Sequence, residues 1–259
     1  MEHRNLTYSE EQQVGTISFN QPERRNALSL ELLQELTSLL TRIGEEKPVK
    51  AVIVQGRGKH FCSGHDLGEV RNWQPQEVRS LFRACYRTMR AIREIPQPVV
   101  AQVHGVATAA GCQLVASCDL AVAAEEARLA TSGVNIGLFC STPMVALSRN
   151  VARKAAMEML LMGEFVEAER ARELGLVNRV VPRAGLEEGS MEMARTIADK
   201  SPVAVKIGKR AFYEQAEMSL EEAYAYAGRV MAENMMARDT EAGIGAFTRK
   251  EPMPEWTGE

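Results

Sequence analysis

The sequence predicts an α/β protein, and three observations support this prediction. Short apolar runs bounded by glycine or proline alternate with longer segments whose apolar residues recur at helical spacing. The runs stay apolar over consecutive positions, as strands buried on both faces do. The 259 residues, 45% of them hydrophobic, are enough for one large domain or one domain with an appendage.

Strand and helix signals alternate over the first part of the chain. The run VGTISFN predicts a strand that ends at the breaker-rich turn QPERRN. Ser29 predicts a helix start, since leucines from Leu32 to Leu40 follow at helical spacing. The segments KAVIVQG, PQPVVAQVHG and DLAVAA predict buried strands. The segment PQEVRSLFRACYRTMRAIREI predicts a helix with Val78, Phe82 and Cys85 on its apolar side. The segment GVATAAGCQLVASCD predicts a turn feeding a short helix of small residues.

Segments that predict strands become rare after about Arg149. Five segments there predict helices: RKAAMEMLLMGE, EAERARELG, EEGSMEMARTIADK, PVAVKIGKRAFYEQ and SLEEAYAYAGRVMAENMMARDTEAGIGAF. Only LVNRVVP predicts extended chain. We therefore expect an α/β core over residues 1–195 and a C-terminal helical region over residues 196–259.

Composition excludes several classes of function. The net charge of −3 argues against a nucleic-acid binder, and no apolar run is long enough to span a bilayer. The five cysteines are scattered without a CxxC pair, so we expect buried free thiols, no metal site and no redox dithiol. The first residues, with His3 in the tail, are polar and acidic, unlike a signal or transit peptide. This pattern predicts a cytosolic protein.

Two glycine-bearing loops, FCSGHDL and HGVATAAGCQL, follow the second and third predicted core strands. Each would place a backbone N–H at the carboxyl end of a strand, which is the usual ligand side of an α/β sheet. Two such donors aimed at one point form an oxyanion hole, and glycine at Gly64 and Gly111 permits close approach. Plain turns are the alternative, and the local pattern alone favours them. Ser63, His65 and Asp66 lie too close in sequence for a catalytic triad.

Five motifs, which follow one another in a fixed order along the chain and include these two loops, resemble those of a known family. They are NQPERRNALS, KHFCSGHDL, PQPVVAQVHGVATAAGCQLVASCDLAVA, GLVNRVV and GIGAFTRKEPMPEWTG. Over nearly its whole length the chain resembles the crotonase superfamily, also called the enoyl-CoA hydratase/isomerase family. The segments ATAAGCQLVASCD and GVNIGLFCSTP are most similar to its enoyl-CoA hydratase domain-containing branch. The resemblance implies a ClpP-like spiral of ββα units with C-terminal helices that build a homotrimer or a dimer of trimers.

The resemblance also implies an acyl-CoA ligand and a set of site residues. The backbone N–H groups of His65 and Ala110 would hold the thioester oxygen and stabilise an enolate. Coenzyme A belongs to the substrate, and no separate cofactor is expected. The residues implied around the coenzyme are Arg24, Ala27, Ser63, Gly64, Asp66, Leu67 and Gly111, with Phe247 and Lys250 from a neighbouring subunit. Arg24, Arg25 and Lys59 would meet its phosphates, the alternative for each basic side chain being simple solvation.

The chain departs from the family pattern at two positions. Gln113 and Gly133 stand where a typical hydratase has glutamates, and no Asp or Glu occurs between Arg128 and Ala156. Glutamine and glycine cannot exchange protons near neutral pH, so the paired-carboxylate requirement of hydration is unmet.

Three functions remain open after these substitutions. The first is an enzyme that uses other proton carriers, for example in thioester hydrolysis or decarboxylation. Its candidate carriers are His65, Ser132, Asn135, Cys140, Ser141 and Thr142, with an inert packed thiol as the favoured interpretation of Cys140. The second is a non-catalytic acyl-CoA binder or regulator. The third is a weak hydratase that relies on the oxyanion hole and a bound water.

Overall fold

The computed structural model describes residues 4–259, so His3 lies outside the described residues. Its main sheet has the strand order β1-β2-β3-β4-β6-β9, with β1 antiparallel to β2 and every other neighbouring pair parallel. These strands are β1 (Leu6–Glu11), β2 (Val14–Phe19), β3 (Ala51–Gly56), β4 (Val99–Val103), β6 (Leu120–Ala124) and β9 (Arg179–Val181). A smaller sheet has the order β5-β7-β8, from β5 (Val106–Thr108), β7 (Arg128–Ala130) and β8 (Val166–Glu167).

Helices cover both faces of the main sheet and then form a C-terminal group. The helices are α1 (Leu30–Glu46), α2 (Leu67–Val70), α3 (Pro75–Glu94), α4 (Ala110–Ser117), α5 (Pro143–Asn150), α6 (Arg153–Met162), α7 (Ala168–Glu173), α8 (Leu186–Ala198), α9 (Pro202–Gln215), α10 (Leu220–Met235) and α11 (Arg238–Arg249). None of them is both long and apolar enough to cross a bilayer.

The two faces of β3 show how the strand pattern builds a layered core. Val52 and Val54 face one core cluster, which includes the apolar residues of α1 and α3. Ala51 and Ile53 point to the opposite cluster, where Leu186 and other residues of α8 cover the sheet. Successive side chains on a strand point to opposite faces, so a run that is apolar at every position becomes buried on both sides. This arrangement confirms the α/β prediction.

The helix start predicted at Ser29 is present. The Ser29 hydroxyl accepts a hydrogen bond from the Leu32 N–H at 3.1 Å, and Leu32, Leu36 and Leu40 are buried. Such a cap satisfies one of the free donors at a helix start. The helix ends at Lys47, which adopts a left-handed conformation.

Four details differ from the sequence expectation. The polar N-terminal segment forms β1 as an edge strand, which its weak alternation did not indicate. The segment before α4 forms the short strand β5. The last predicted helix is two helices, because residue Ala237 has extended backbone angles and begins α11 as its cap. Phe82 is 41% exposed, since it lies at the edge of the face by which α3 packs on the core. The boundary expected at residues 195–196 stays a prediction, and these residues lie in α8.

A buried ion pair joins the C-terminal helices to the core. Lys209 on α9 is 6% exposed, and its Nζ lies 2.8 Å from Asp119 Oδ2. The same ammonium donates to the carbonyls of Ile92 and Gln97, each at 2.8 Å. Tyr213 donates to Asp119 Oδ1 at 2.8 Å. Burial lowers the pKa of Lys209, while Asp119 opposes that shift. The stability of the Lys209–Asp119 pair therefore depends on the hydrogen bonds from Tyr213 and to the two carbonyls.

Replacing Lys209 by methionine is expected to lower the free energy of unfolding by about 3–5 kcal/mol, because Asp119 then loses its buried counter-charge. Methionine keeps most of the aliphatic stem, so the loss reports the ammonium. Arg210 offers a matched control, since it forms an exposed pair with Glu214 on the same helix. Arg210→Met should cause a much smaller loss, because an exposed ion pair contributes little to stability. Urea denaturation measures the free energy of unfolding of both variants. Equal losses would contradict the conclusion that the buried ion pair stabilises the fold more than the exposed pair does.

Candidate functional site

The two glycine-bearing loops meet through backbone contacts. The Cys62 N–H donates to the Val106 carbonyl at 3.1 Å, and the Thr108 N–H donates to the Cys62 carbonyl at 3.0 Å. The first turn of α4 then passes over Cys62, because Gly111 has no side chain. A Cβ at Gly111 would lie 2.2 Å from the Cys62 carbonyl oxygen, a separation that no side chain tolerates. Gly111 is therefore required for this close approach.

Gly64 lies against the start of α4. Its φ of +88° is in the region that favours glycine. A Cβ at this position would lie 3.0 Å from the Thr108 carbonyl oxygen and 3.3 Å from the Ala110 nitrogen. The loop ending at Gly64 and the first residue of α4 are thus immediate neighbours. The absence of a side chain at Gly64 leaves the approach to the Ala110 N–H open.

The backbone N–H groups of His65 and Ala110 have no acceptor among residues 4–259. Ala110 is the first residue of α4, where helix geometry leaves an amide without an intrahelical partner. The partial positive charge of a helix start adds to the attraction for an oxygen atom there. The geometry thus brings together two free donors, one from each loop.

Ala109, which caps α4, has unusual backbone angles, with φ of 51° and ψ of −116°. Its N–H donates to the Ala130 carbonyl at 2.9 Å, and its own carbonyl accepts from the Gln113 N–H at 3.0 Å. These two bonds hold the residue in a conformation that costs a non-glycine residue about 1–3 kcal/mol. The strained residue directly precedes the Ala110 donor.

Replacing Ala109 by glycine is expected to raise the free energy of unfolding by about 1 kcal/mol. Relief of strain exceeds the conformational entropy of the added glycine, which costs roughly 0.5–1 kcal/mol. Thermal unfolding followed by circular dichroism measures the change. Ala107→Gly, in the neighbouring strand with ordinary angles, is the control and should destabilise the protein. A lower melting temperature for Ala109→Gly would show that the methyl group contributes more than its strain costs.

Gln113 lies on α4 and is 7% exposed. Its Oε1 accepts a weak hydrogen bond from the Cys85 thiol, with 3.8 Å between sulfur and oxygen. Burial raises the pKa of Cys85 to about 12, so this thiol stays protonated at neutral pH. The contact gives Gln113 a neutral neighbour and supplies no proton carrier.

Gly133 lies in a 3₁₀ turn, Ser132–Ile136, and is buried. A Cβ here would lie 2.4 Å from the Leu138 carbonyl oxygen and 2.8 Å from the Cys140 sulfur. Backbone and thiol already occupy the space into which a side chain would extend. Burial also raises the pKa of Cys140. Inserting a glutamate here would require the Leu138 segment to move.

Most of the other candidate proton carriers have structural hydrogen bonds. The Ser132 and Thr108 hydroxyls lie 2.8 Å apart. Asn135 donates to the Gly163 carbonyl at 3.0 Å, and Ser141 donates to the Phe139 carbonyl at 3.3 Å. Thr142 begins α5 without a side-chain capping bond.

The His65 ring has one hydrogen-bonded nitrogen and one without a partner among residues 4–259. Its Nδ1 lies 3.3 Å from the Leu28 carbonyl, which assigns the N–H to Nδ1 and leaves Nε2 unprotonated. Nε2 is buried without a partner in the described chain. The ring meets Phe82 edge to face, with centroids 5.4 Å apart. Burial lowers the pKa of His65, against the effect of the Leu28 carbonyl, so the imidazole is neutral at physiological pH.

The segment Arg24–Leu28 runs along the Gly64 loop. The Ser63 N–H donates to the Arg25 carbonyl at 3.1 Å, and the Leu28 N–H donates to the Gly64 carbonyl at 2.8 Å. Arg24 forms an ion pair with Asp66, whose Oδ1 also accepts from the Glu69 N–H at the start of α2. Ala27 is buried beside this segment and Leu67 is exposed.

The remaining implied coenzyme contacts are spread more widely. The Lys59 carbonyl packs closely against Gly105. Phe247 is 77% exposed, and Lys250 ends α11 in the C-terminal helical region.

Sequence reasoning missed three parts of this site. It placed Cys85 on the apolar side of α3 without linking it to Gln113. It noted the small residues near Ala109 but not the strain there, and it did not foresee the Leu138 carbonyl against Gly133. The five cysteines are free and buried, as predicted.

Comparison with known proteins places the chain in a family. The family model "Enoyl-CoA hydratase/isomerase" matches residues 9–259, and the chain belongs to that family. A rat protein, enoyl-CoA hydratase domain-containing protein 3, mitochondrial, is 45% identical over 245 residues, which cover 94% of this chain and 81% of the relative.

Solved structures agree with the family assignment. A crystal structure titled enoyl-CoA hydratase from Mycobacterium smegmatis has a TM-score of 0.95 at 50% identity, with 97% of this chain and 98% of that chain covered. The crystal structure of human enoyl coenzyme A hydratase domain-containing protein 3 has a TM-score of 0.94 at 43% identity, covering 97% and 100%. These matches confirm the crotonase fold and the resemblance to the domain-containing branch.

The same comparison corrects the predicted location. The prediction of a cytosolic protein is wrong, because the rat and human relatives at 45% and 44% identity are mitochondrial proteins by name. The expectation depended on the polar first residues of the chain. Those residues do not determine where a member of this family resides.

Proposed function

We propose that the protein binds acyl-CoA thioesters and stabilises negative charge on the thioester oxygen, without the two-glutamate proton chemistry of a hydratase. One observation supports this most directly. The free N–H groups of His65 and Ala110 come from adjoining loops, and Gly64 leaves the space in front of Ala110 open. Membership of the enoyl-CoA hydratase/isomerase family supports the choice of ligand.

The chemistry follows from the donor pair. A thioester oxygen bound by both N–H groups is polarised, and charge that develops on it as an enolate is stabilised by about 3 kcal/mol per donor. The start of α4 adds its partial positive charge. Fixed backbone donors need no reorganisation during the reaction. The amides of His65 and Ala110 therefore lower the energy of an enolate whatever residue removes the proton.

The remaining coenzyme would lie along the segment Arg24–Leu28. Arg24 supplies a guanidinium beside Asp66, and Arg25 and Lys59 supply further positive charge for phosphates. Ser63, Gly64 and Gly111 offer backbone surface, with Ala27 and Leu67 as its apolar part. Phe247 and Lys250 would reach the coenzyme of a neighbouring subunit.

The proposal predicts that Gly64→Ala weakens acyl-CoA binding tenfold or more. The new methyl group would occupy the approach to the Ala110 N–H, and each unpaired hydrogen bond costs about 1–3 kcal/mol. Calorimetric titration with butyryl-CoA measures the affinity. Gly68→Ala is the matched control, because its Cβ meets only the end of the Asp66 side chain at 3.2 Å. His65→Ala keeps the peptide N–H and should also retain binding. Unchanged affinity in a folded Gly64→Ala protein would refute the donor assignment.

Hydration of crotonyl-CoA is expected to be slow in the parent protein. Each positioned acid or base is typically worth roughly 10²–10⁴-fold, and neither position 113 nor position 133 carries one. Gln113→Glu should raise the rate at least tenfold, since it restores one carboxylate without a change of shape. Gln113→Leu, which is similar in size, should give no gain. Loss of absorbance at the enoyl thioester band measures the rate. A parent turnover near 10 s⁻¹, typical of enzymes, would contradict the proposal.

We expect the protein to assemble as a homotrimer or a dimer of trimers. Large apolar side chains are exposed on the C-terminal helices, among them Phe212, Leu220, Tyr224, Met231, Met236 and Phe247. Exposed apolar surface of this extent marks interaction sites. Light scattering should give a mass of three or six chains. Tyr224→Glu should shift that mass towards the monomer, whereas a monomeric parent at micromolar concentration would refute the expectation.

A further inference from the structure

A groove of about 590 Å³ lies between α1 and α3 on the outer surface of the core. Its residues are Leu30, Gln34, Thr37 and Ser38 from α1, and Ser80, Arg83, Ala84 and Arg87 from α3. Two guanidinium groups, one amide and several hydroxyls thus surround a concave surface. No carboxylate lines it.

The arginines of this groove have no ionic partner in the described chain. Arg90, on the same helix, pairs with Glu94, but Arg83 and Arg87 pair with no carboxylate among residues 4–259. Arg79 continues the row one turn earlier and is also unpaired within those residues. Like charges four residues apart on a helix repel each other. No carboxylate among residues 4–259 forms an ion pair with these three arginines to offset the repulsion.

We propose that the groove between α1 and α3 binds the phosphate groups of a small phosphate ester. Guanidinium groups bind phosphate oxygens with two parallel hydrogen bonds, and the two arginines are one turn apart. Gln34 and Ser38 are exposed on the facing helix and can donate to further oxygens. Leu30 and Ala84 supply an apolar surface for the organic part.

The first experiment is a calorimetric titration with pyrophosphate at low salt. The double variant Arg83→Gln/Arg87→Gln should bind at least tenfold more weakly than the parent. The matched control, Arg79→Gln/Arg90→Gln, removes the same charge from the same helix outside the groove and should retain most of the affinity. Equal weakening in both double variants would show a general charge effect and overturn the proposal. So would a parent that does not bind millimolar pyrophosphate.

Gln34→Glu provides a second test that leaves the arginines in place. The new carboxylate has nearly the same shape, lies on the exposed face of α1 and should repel the anion. A tenfold loss of pyrophosphate affinity is expected, together with an unchanged melting temperature. Unchanged affinity would overturn the proposal, because a carboxylate inside a phosphate site must weaken anion binding.

Two sources of phosphate are distinguished by competition. ADP is titrated into the parent with and without saturating butyryl-CoA. Independent binding is expected and assigns the groove to a separate phosphate ester, because the coenzyme phosphates are placed beside Arg24, Arg25 and Lys59. Competition would assign the bound ADP to that coenzyme site and overturn the proposal. Light scattering of the Arg83→Gln/Arg87→Gln variant completes the test. If these substitutions change the number of subunits and leave pyrophosphate binding intact, the arginines belong to a subunit contact and the proposal fails.

Discussion

The candidate site depends on one close backbone contact, in which the first turn of α4 lies directly on the Cys62 carbonyl. Only glycine at position 111 allows this distance. The contact places Ala110 beside Gly64, and the ladder between Cys62 and Val106 fixes the relative position of the two loops. The strain at Ala109 has the same origin. The chain must turn sharply there to enter α4, and two backbone hydrogen bonds hold it in that turn.

The same packing surrounds positions 113 and 133, where the family resemblance implies glutamates. At Gln113 the substitution is chemical, since the side chain keeps the length of glutamate but cannot ionise. At Gly133 the change is steric as well. The Leu138 carbonyl and the Cys140 thiol fill the volume that a side chain would use, so the surroundings have adapted to glycine. Restoring the first acid is therefore a local change, and restoring the second would require a different conformation of the segment after Gly133.

Sequence patterns were sufficient to predict the features that residues close in sequence determine. The cap at Ser29, the two-sided burial of β3 and the need for glycine at position 64 all follow from spacing and residue type. They were insufficient where distant segments meet. The link between Cys85 and Gln113 joins residues 28 positions apart, and the Leu138 carbonyl reaches Gly133 only through the path of the loop. Phe82 has helical periodicity appropriate for the core, yet it lies at the edge of α3 and contacts His65 instead.

The buried pair of Lys209 and Asp119 connects the C-terminal helices to the elements that form the site. Asp119 directly follows Cys118, the C-terminal cap of α4. Its carboxylate also accepts a hydrogen bond from the Val99 N–H at the start of β4. Lys209 reaches the carbonyls of Ile92, in the last turn of α3, and of Gln97, two residues before β4. A displacement of α9 would therefore act on the far ends of both α3 and α4. The ion pair thus lies against the two helices that supply Cys85, Phe82, Ala110 and Gln113.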